Sequence, residues 1–190
     1  YFWNGNRSGK VSEELETYEE IPSDVIPFDQ APAMKSKEIT DCMVKAMESG
    51  KYDFLRCNFP NGDMVGHTGS FPATQCSMEA LDLCLARILK VVDKLHGAAI
   101  ITADHGNADE MYEVDKKGNV KHAADGSMKA KTSHTLNRVP CIIYDNFSKD
   151  AYTVKADDGS FGLSDVAATT VNLLGYEAPS MWDPSLIELK

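Results

Sequence analysis

Asp63 and His67, Asp104 and His105, and His134 are the side chains of this chain whose types and spacing could do chemistry. They offer carboxylate oxygen and neutral imidazole nitrogen, a donor set that suits zinc or manganese and is too rich in nitrogen for an ordinary calcium site. Asp63 and His67 are four residues apart in FPNGDMVGHTG and could converge on one ion if the intervening Met-Val-Gly turns tightly. Asp104 and His105 are neighbours in TADHGNAD, and adjacent ligands on an irregular loop could reach one ion or bridge two. His134 arrives separately, in KTSHTLNRVP. Gly62, Gly66, Gly69 and Gly106 permit the tight turns that such loops require.

Each element alone is weak. An Asp-x-x-x-His is ordinarily a surface loop, a DHG tripeptide is common, and His134 alone would be a satisfied loop histidine. Their coincidence is the signal: three of the five histidines flank glycine- or threonine-rich loops at strand boundaries, two with an aspartate beside them. His96, at a helix end, and His122, in a polar excursion, are assigned no chemistry. Arg7 in NGNRSG could meet a phosphate, but a lone basic residue in a turn is normally solvated. Cys42, Cys57, Cys76, Cys84 and Cys141 form no CxxC pair, which reads as free thiols in a reducing compartment and sets a cytoplasmic expectation. Oxidation at Cys57, just ahead of the first motif, is a weaker idea than its burial.

Elements that could position these residues follow from periodicity. Apolar residues from Met34 to Met47 recur at helical spacing and stop at Gly50, and Phe71 to Leu95 gives a long helix with a break at Gly97. Tyr52–Asn58, Ala98–Thr102 and Val139–Tyr144 read as strands, and Ser164 as the cap of a helix ended by Gly175. Residues 112–132 are polar, with Gly118 and Gly126, and read as a hairpin or surface excursion. Glu13 to Pro32 reads as a long, acidic, proline-bearing surface connection with room for a short strand. Alternating strands and helices predict an α/β layered domain with a largely parallel sheet, whose ligand-bearing loops sit at the strand ends.

The apolar fraction of 43% and charged fraction of 25% are those of an ordinary globular protein. A formal charge of −10 repels nucleic acid and anionic membranes, so a phosphate site must bring local positive charge, and metal ions supply it. No apolar run is long enough to span a bilayer. The opening Tyr1–Trp3 has no Met and looks like the end of a strand, which suggests a piece of a longer chain.

YFWNGNRSG, NGDMVGHTG, TADHGNAD and TSHTLNRVP, followed by VAATTVNLLGYEAP and SLIELK, resemble in order and over nearly the whole chain the cofactor-independent (2,3-bisphosphoglycerate-independent) phosphoglycerate mutase family. The resemblance is to the plant and trypanosomatid variety, within the alkaline phosphatase superfamily. It implies a layered sandwich with a central, largely parallel sheet flanked by helices, incomplete at its N-terminal side. It implies that Asp63, His67 and His134 hold one metal ion, usually manganese, with cobalt or zinc possible, and that Asp104 and His105 contribute to a second. A serine nucleophile and an aspartate complete the second ion in that family. Those segments, a phosphate-contacting lysine and an inserted transferase domain would lie outside residues 1–190, the C-terminal part of the metal-binding domain.

The implied activity of the parent enzyme interconverts 3-phosphoglycerate and 2-phosphoglycerate in glycolysis and gluconeogenesis through a phosphoserine, with no 2,3-bisphosphoglycerate requirement. The chain alone is expected to be inactive, because Ser8, Ser70 and Ser133 do not match the nucleophile segment. Expected partners are phosphoglycerate and the remaining polypeptide, with no nucleic acid or membrane and a monomeric whole protein. The alternatives are another phosphohydrolase or a phosphopentomutase of the superfamily, or a non-catalytic metal-binding module. A structural site would be closed by four protein ligands, whereas a catalytic one keeps positions open.

Overall fold

The computed structural model describes Gly5, residues 7–148 and residues 150–190, so the expected strand end at Tyr1–Trp3 lies outside the described residues. Helices α1 (Ser36–Glu48), α2 (Asn61–Gly66) and α3 (Phe71–Lys94) come first, followed by strands β1 (Ala98–Thr102), β2 (Cys141–Asp145) and β3 (Tyr152–Val154). Helix α4 (Asp165–Leu173) and strand β4 (Ile187–Leu189) complete the order.

Helix α3 is the spine. Ser70 caps it by accepting the Ala73 N–H, and Ala73, Ser77, Cys84, Ile88 and Val92 form its buried stripe, in which each large apolar side chain contributes about 1.5–3 kcal/mol. Both α1 and α2 pack on this helix. The expected stop at Gly97 is prepared one residue earlier. His96 takes a φ of 55°, its N–H bonds the Asp93 carbonyl, and the Gly97 N–H bonds that of Val92, closing a Schellman end. His96 also stacks on Phe147 at 4.1 Å, in keeping with a structural role.

Helix α4 ends in the same way, with Gly175 at a φ of 85° and the Tyr176 N–H on the Val171 carbonyl. Its expected cap is corrected: Ser164 makes no side-chain capping bond. The buried Asp165 carboxylate instead accepts the Gly162 N–H at 2.6 Å, tying down the entering chain.

Among the described residues the ladders are two antiparallel pairs, β1 with β2 and β3 with β4. Tyr52–Asn58 has strand-like composition but forms no ladder, because none of the described strands pairs with it. Its Cys57 thiol is pushed up to about 11, chiefly by burial, so the thiolate that oxidation needs is scarce at neutral pH. The α/β character itself stands. Residues 112–131 form the expected excursion as a three-segment meander, bridged at Val114–Val120, His122–Met128 and Tyr112–Ala130.

The β1–β2 register is what positions the site. Thr102, the last residue of β1, lies opposite Cys141, the first of β2. Antiparallel pairing therefore sends the loop after β1 and the loop before β2 to one rim, carrying Asp104, His105 and His134 together. Among the described residues no helix is long and apolar enough to cross a membrane.

Candidate metal centre

Asp63 and His67 sit on a helix rather than on the glycine loop the sequence suggested. At the C-terminal cap of α2 the His67 N–H bonds the Asp63 carbonyl at 2.9 Å, so the two side chains share one face, a single turn apart. Two glycines in six residues are a poor local reason for a helix. Packing supplies the reason: Val65 is fully buried, and the Asn61 amide donates to the Ala33 carbonyl at 3.1 Å and to Ser77 Oγ at 3.2 Å.

Three of the five expected residues meet in a nearly equilateral triangle. Asp63 Oδ1 lies 3.1 Å from His67 Nε2 and 3.0 Å from His134 Nε2, and the two imidazole nitrogens are 3.1 Å apart. Ligands at right angles about a common centre stand about 3.0 Å apart when each bond is about 2.1 Å, which is where small divalent ions bind nitrogen and oxygen. Protonation points the same way. His67 Nδ1 is 2.6 Å from the Thr132 carbonyl, which can only accept, so Nδ1 carries the proton and Nε2 of the neutral ring presents a lone pair. Where neither Nε2 carries a proton, two imidazole nitrogens and a carboxylate oxygen facing one another at this distance repel, and a cation between them relieves that repulsion. The donor set thus fits a metal ion, and the Nδ1–carbonyl bond is the kind of support a ligating histidine receives.

His105 closes on the same cluster. Its ring stacks on His134 at 3.7 Å, its Nε2 is 4.0 Å from Asp63 Oδ1, and Asp63, His105 and His134 form a group able to hold an ion. Its Nδ1 is buried without a hydrogen-bond partner. Asp104 lies at the margin, 3.8 Å from His105 Nε2, with its side chain 84% exposed. The side chains of the cluster range from partly buried to exposed, so the cluster is open to solvent.

Several positioning groups escaped the sequence reading. Asn107 donates to Asp63 Oδ1 at 2.9 Å and to the Asp63 carbonyl at 3.3 Å, and a Cβ at Gly66 would collide with its amide oxygen. Asp109 accepts from Asn137 at 2.6 Å and from Thr135 at 3.0 Å, while the Thr135 N–H bonds the Gly106 carbonyl at 2.8 Å. These bonds clip the two rim loops together. Asn107, Asp109, Thr135 and Asn137 all lie within quoted motifs, but nothing in their spacing told clip from ligand.

The clip has a pH signature. Burial alone would raise the Asp109 carboxyl, but hydrogen bonds from Asn137 and Thr135 outweigh it and hold the group below the usual aspartate value of 3.8. A depressed folded-state pKa contributes stability that is present above the unfolded value and lost as pH falls through the folded one. Asp109→Asn should therefore narrow the gap between metal-free melting temperatures at pH 6 and at pH 3, measured by circular dichroism. An unchanged gap would mean the carboxylate carries no linkage.

Comparison with known proteins places the chain among metalloenzymes. The family described as the Metalloenzyme superfamily matches residues 1–178. Over 189 residues the chain is 54% identical to a 2,3-bisphosphoglycerate-independent phosphoglycerate mutase of Trypanosoma brucei brucei, covering 100% of this chain and 34% of that protein. It is 45% identical over 190 residues to 2,3-bisphosphoglycerate-independent phosphoglycerate mutase 1 of Arabidopsis thaliana, again covering 34% of the relative. A crystal structure of Leishmania mexicana phosphoglycerate mutase at low cobalt concentration superimposes with a TM-score of 0.96 at 47% identity, covering 100% of this chain and 35% of that one. The chain thus spans about a third of the length of these relatives. With a family match over nearly its whole length, the chain belongs to the Metalloenzyme superfamily.

Proposed function

We propose that this chain is the C-terminal part of the metal-bearing domain of a 2,3-bisphosphoglycerate-independent phosphoglycerate mutase, interconverting 3-phosphoglycerate and 2-phosphoglycerate. The observation that carries the reading is the triangle of Asp63 Oδ1, His67 Nε2 and His134 Nε2 in a chain 54% identical to such a mutase. In this reading Asp63, His67 and His134 hold one divalent ion and Asp104 and His105 contribute to a second. Manganese is the first choice, with cobalt and zinc admitted by the same donors. Metal ions in such a site offset phosphoryl charge and lower the pKa of an attacking hydroxyl.

The chain's own residues prepare that chemistry. The Thr132 carbonyl fixes the tautomer and ring plane of His67, while Asn107 holds Asp63. The stacked rings of His105 and His134 set the spacing between the two ligand sets. None of this supplies a nucleophile. Ser70 is committed as the cap of α3, and the serine that receives the phosphoryl group is assigned to the remainder of the whole protein, with the transferase domain that grips glycerate. The larger, parallel central sheet is assigned there as well, since β1 carries a ladder on one side only among the described residues. A cytoplasmic, monomeric whole protein acting on phosphoglycerate completes the proposal.

The test is an enzyme-coupled assay of 3-phosphoglycerate conversion with manganese. The 190-residue chain alone should be silent, and the protein extended to the length of its relatives should be active. Robust turnover by the short chain would overturn the assignment of the nucleophile. An extended protein that only releases inorganic phosphate would replace the mutase by a phosphatase.

A further inference from the structure

We infer that Asn107 is the positioning residue of the metal centre: its side-chain amide sets the angle at which the Asp63 carboxylate meets the ion. The inference rests on the metal reading above and names a residue that the reading does not require.

Both hydrogen bonds of the Asn107 amide go to one residue. Nδ2 reaches Asp63 Oδ1 at 2.9 Å and the Asp63 backbone carbonyl at 3.3 Å. A group that bonds both a carboxylate and the main chain it hangs from fixes the side-chain torsions of that residue, because the two acceptors can no longer rotate relative to each other. The bonded oxygen, Oδ1, is also the one facing His67 and His134. An ionised carboxylate oxygen has two lone-pair directions. With one occupied by the amide, the other is left for the triangle's interior.

The other end of the amide makes no hydrogen bond to the rest of the fold. Asn107 is 4% exposed, yet its Oδ1 has no hydrogen-bond partner. Here the donor end is spent wholly on Asp63 and the acceptor end faces Gly66, where any Cβ would strike it. Helix α2 gives up a side chain at that position to let the amide in. Asn107 sits on the loop after β1, so it also links the α2 ligands to the segment that carries Asp104 and His105.

The test uses cobalt(II), whose visible absorption reports coordination geometry, titrated into the metal-free chain and its Asn107→Ala, Asn107→Leu and Asp63→Ala variants. Leucine approximates the volume of the amide without its donor, which guards against a cavity effect in the alanine variant. Supporting groups around metal ligands typically contribute about 10- to 100-fold in affinity. Both Asn107 variants should bind cobalt weaker by that factor, with an altered band, while the metal-free melting temperature of the leucine variant stays near that of the parent. Parental affinity and an unchanged band in both Asn107 variants, with binding lost in Asp63→Ala, would overturn the positioning role and leave the metal site standing. A drop in metal-free melting temperature without loss of affinity would make Asn107 a fold staple and equally overturn it. Cobalt binding that survives Asp63→Ala unchanged would instead remove the metal reading beneath.

Discussion

Asp63→Ala should lower divalent-metal affinity by more than about 100-fold, the upper range for losing a mere supporting group. Asp63 Oδ1 is the only carboxylate oxygen in the triangle and the atom that both His67 Nε2 and His134 Nε2 face at 3.0–3.1 Å. Removing it deletes one ligand and leaves two imidazoles without the anionic partner that offsets the charge of the ion. It also takes away the shorter of the two bonds of the Asn107 amide and leaves only the one to the main-chain carbonyl of residue 63. Calorimetric titration with manganese measures the effect, and Asp63→Asn separates charge from shape. The asparagine keeps an oxygen at the vertex, so its affinity should fall between parent and alanine. Equal affinity in all three proteins would show that the triangle is not where metal binds.

Gly106→Ala is the second large effect, and it acts without touching a ligand. A Cβ at this position would meet Thr135 Oγ1 and, at 2.6 Å, Asp109 Oδ1, the two groups that clip the rim loops together. Overpacking of this kind costs about 1–3 kcal/mol. For a chain of this size each kcal/mol lowers the melting temperature by about 2–4 °C. Gly106 follows His105 directly and its carbonyl accepts the Thr135 N–H next to His134, so metal affinity should fall together with stability. Paired melting curves with and without manganese show both: the metal-induced rise in melting temperature should shrink as well as the baseline. A lowered baseline with the full metal-induced rise would mean that the rim tolerates the change.

What the sequence revealed follows the range of the interactions involved. Helix α3 was legible because its stripe repeats every three or four residues, and β1 because AAIIT is a continuous apolar run of strand length. Tyr52–Asn58 has the composition of a strand without a ladder among the described residues, because a strand also needs a partner. The direction of β2 was hidden too, since CIIYD reads alike in either sense and only the pairing of Thr102 with Cys141 decides it. The five chemical side chains could be named from their motifs. That Asp63 and His67 ride a helix could not, because α2 is held by Asn61 and Val65 against the local preference of its glycines. Asn107 was invisible because its function is a contact with a residue 44 positions away.

The meander between the rim loops has a consequence for how the chain tolerates change. Residues 112–131 close on themselves through the Tyr112–Ala130 bridge, and Lys131 and Met111 are joined by a 2.9 Å main-chain bond at its base. Phe71, at the start of α3, stacks on Tyr112 at 6.0 Å and anchors that base beside the centre. The distance from His105 to His134 is therefore set at the neck and is independent of how much polypeptide loops out beyond it. Closure entropy grows only with the logarithm of loop length, so residues could be added or removed at the outer turns, around Gly118 or Gly126, at little thermodynamic cost. The outer meander is the natural port for a tag, a reporter or a grafted peptide: cargo carried there would ride on the metal domain without disturbing the geometry of its ligands.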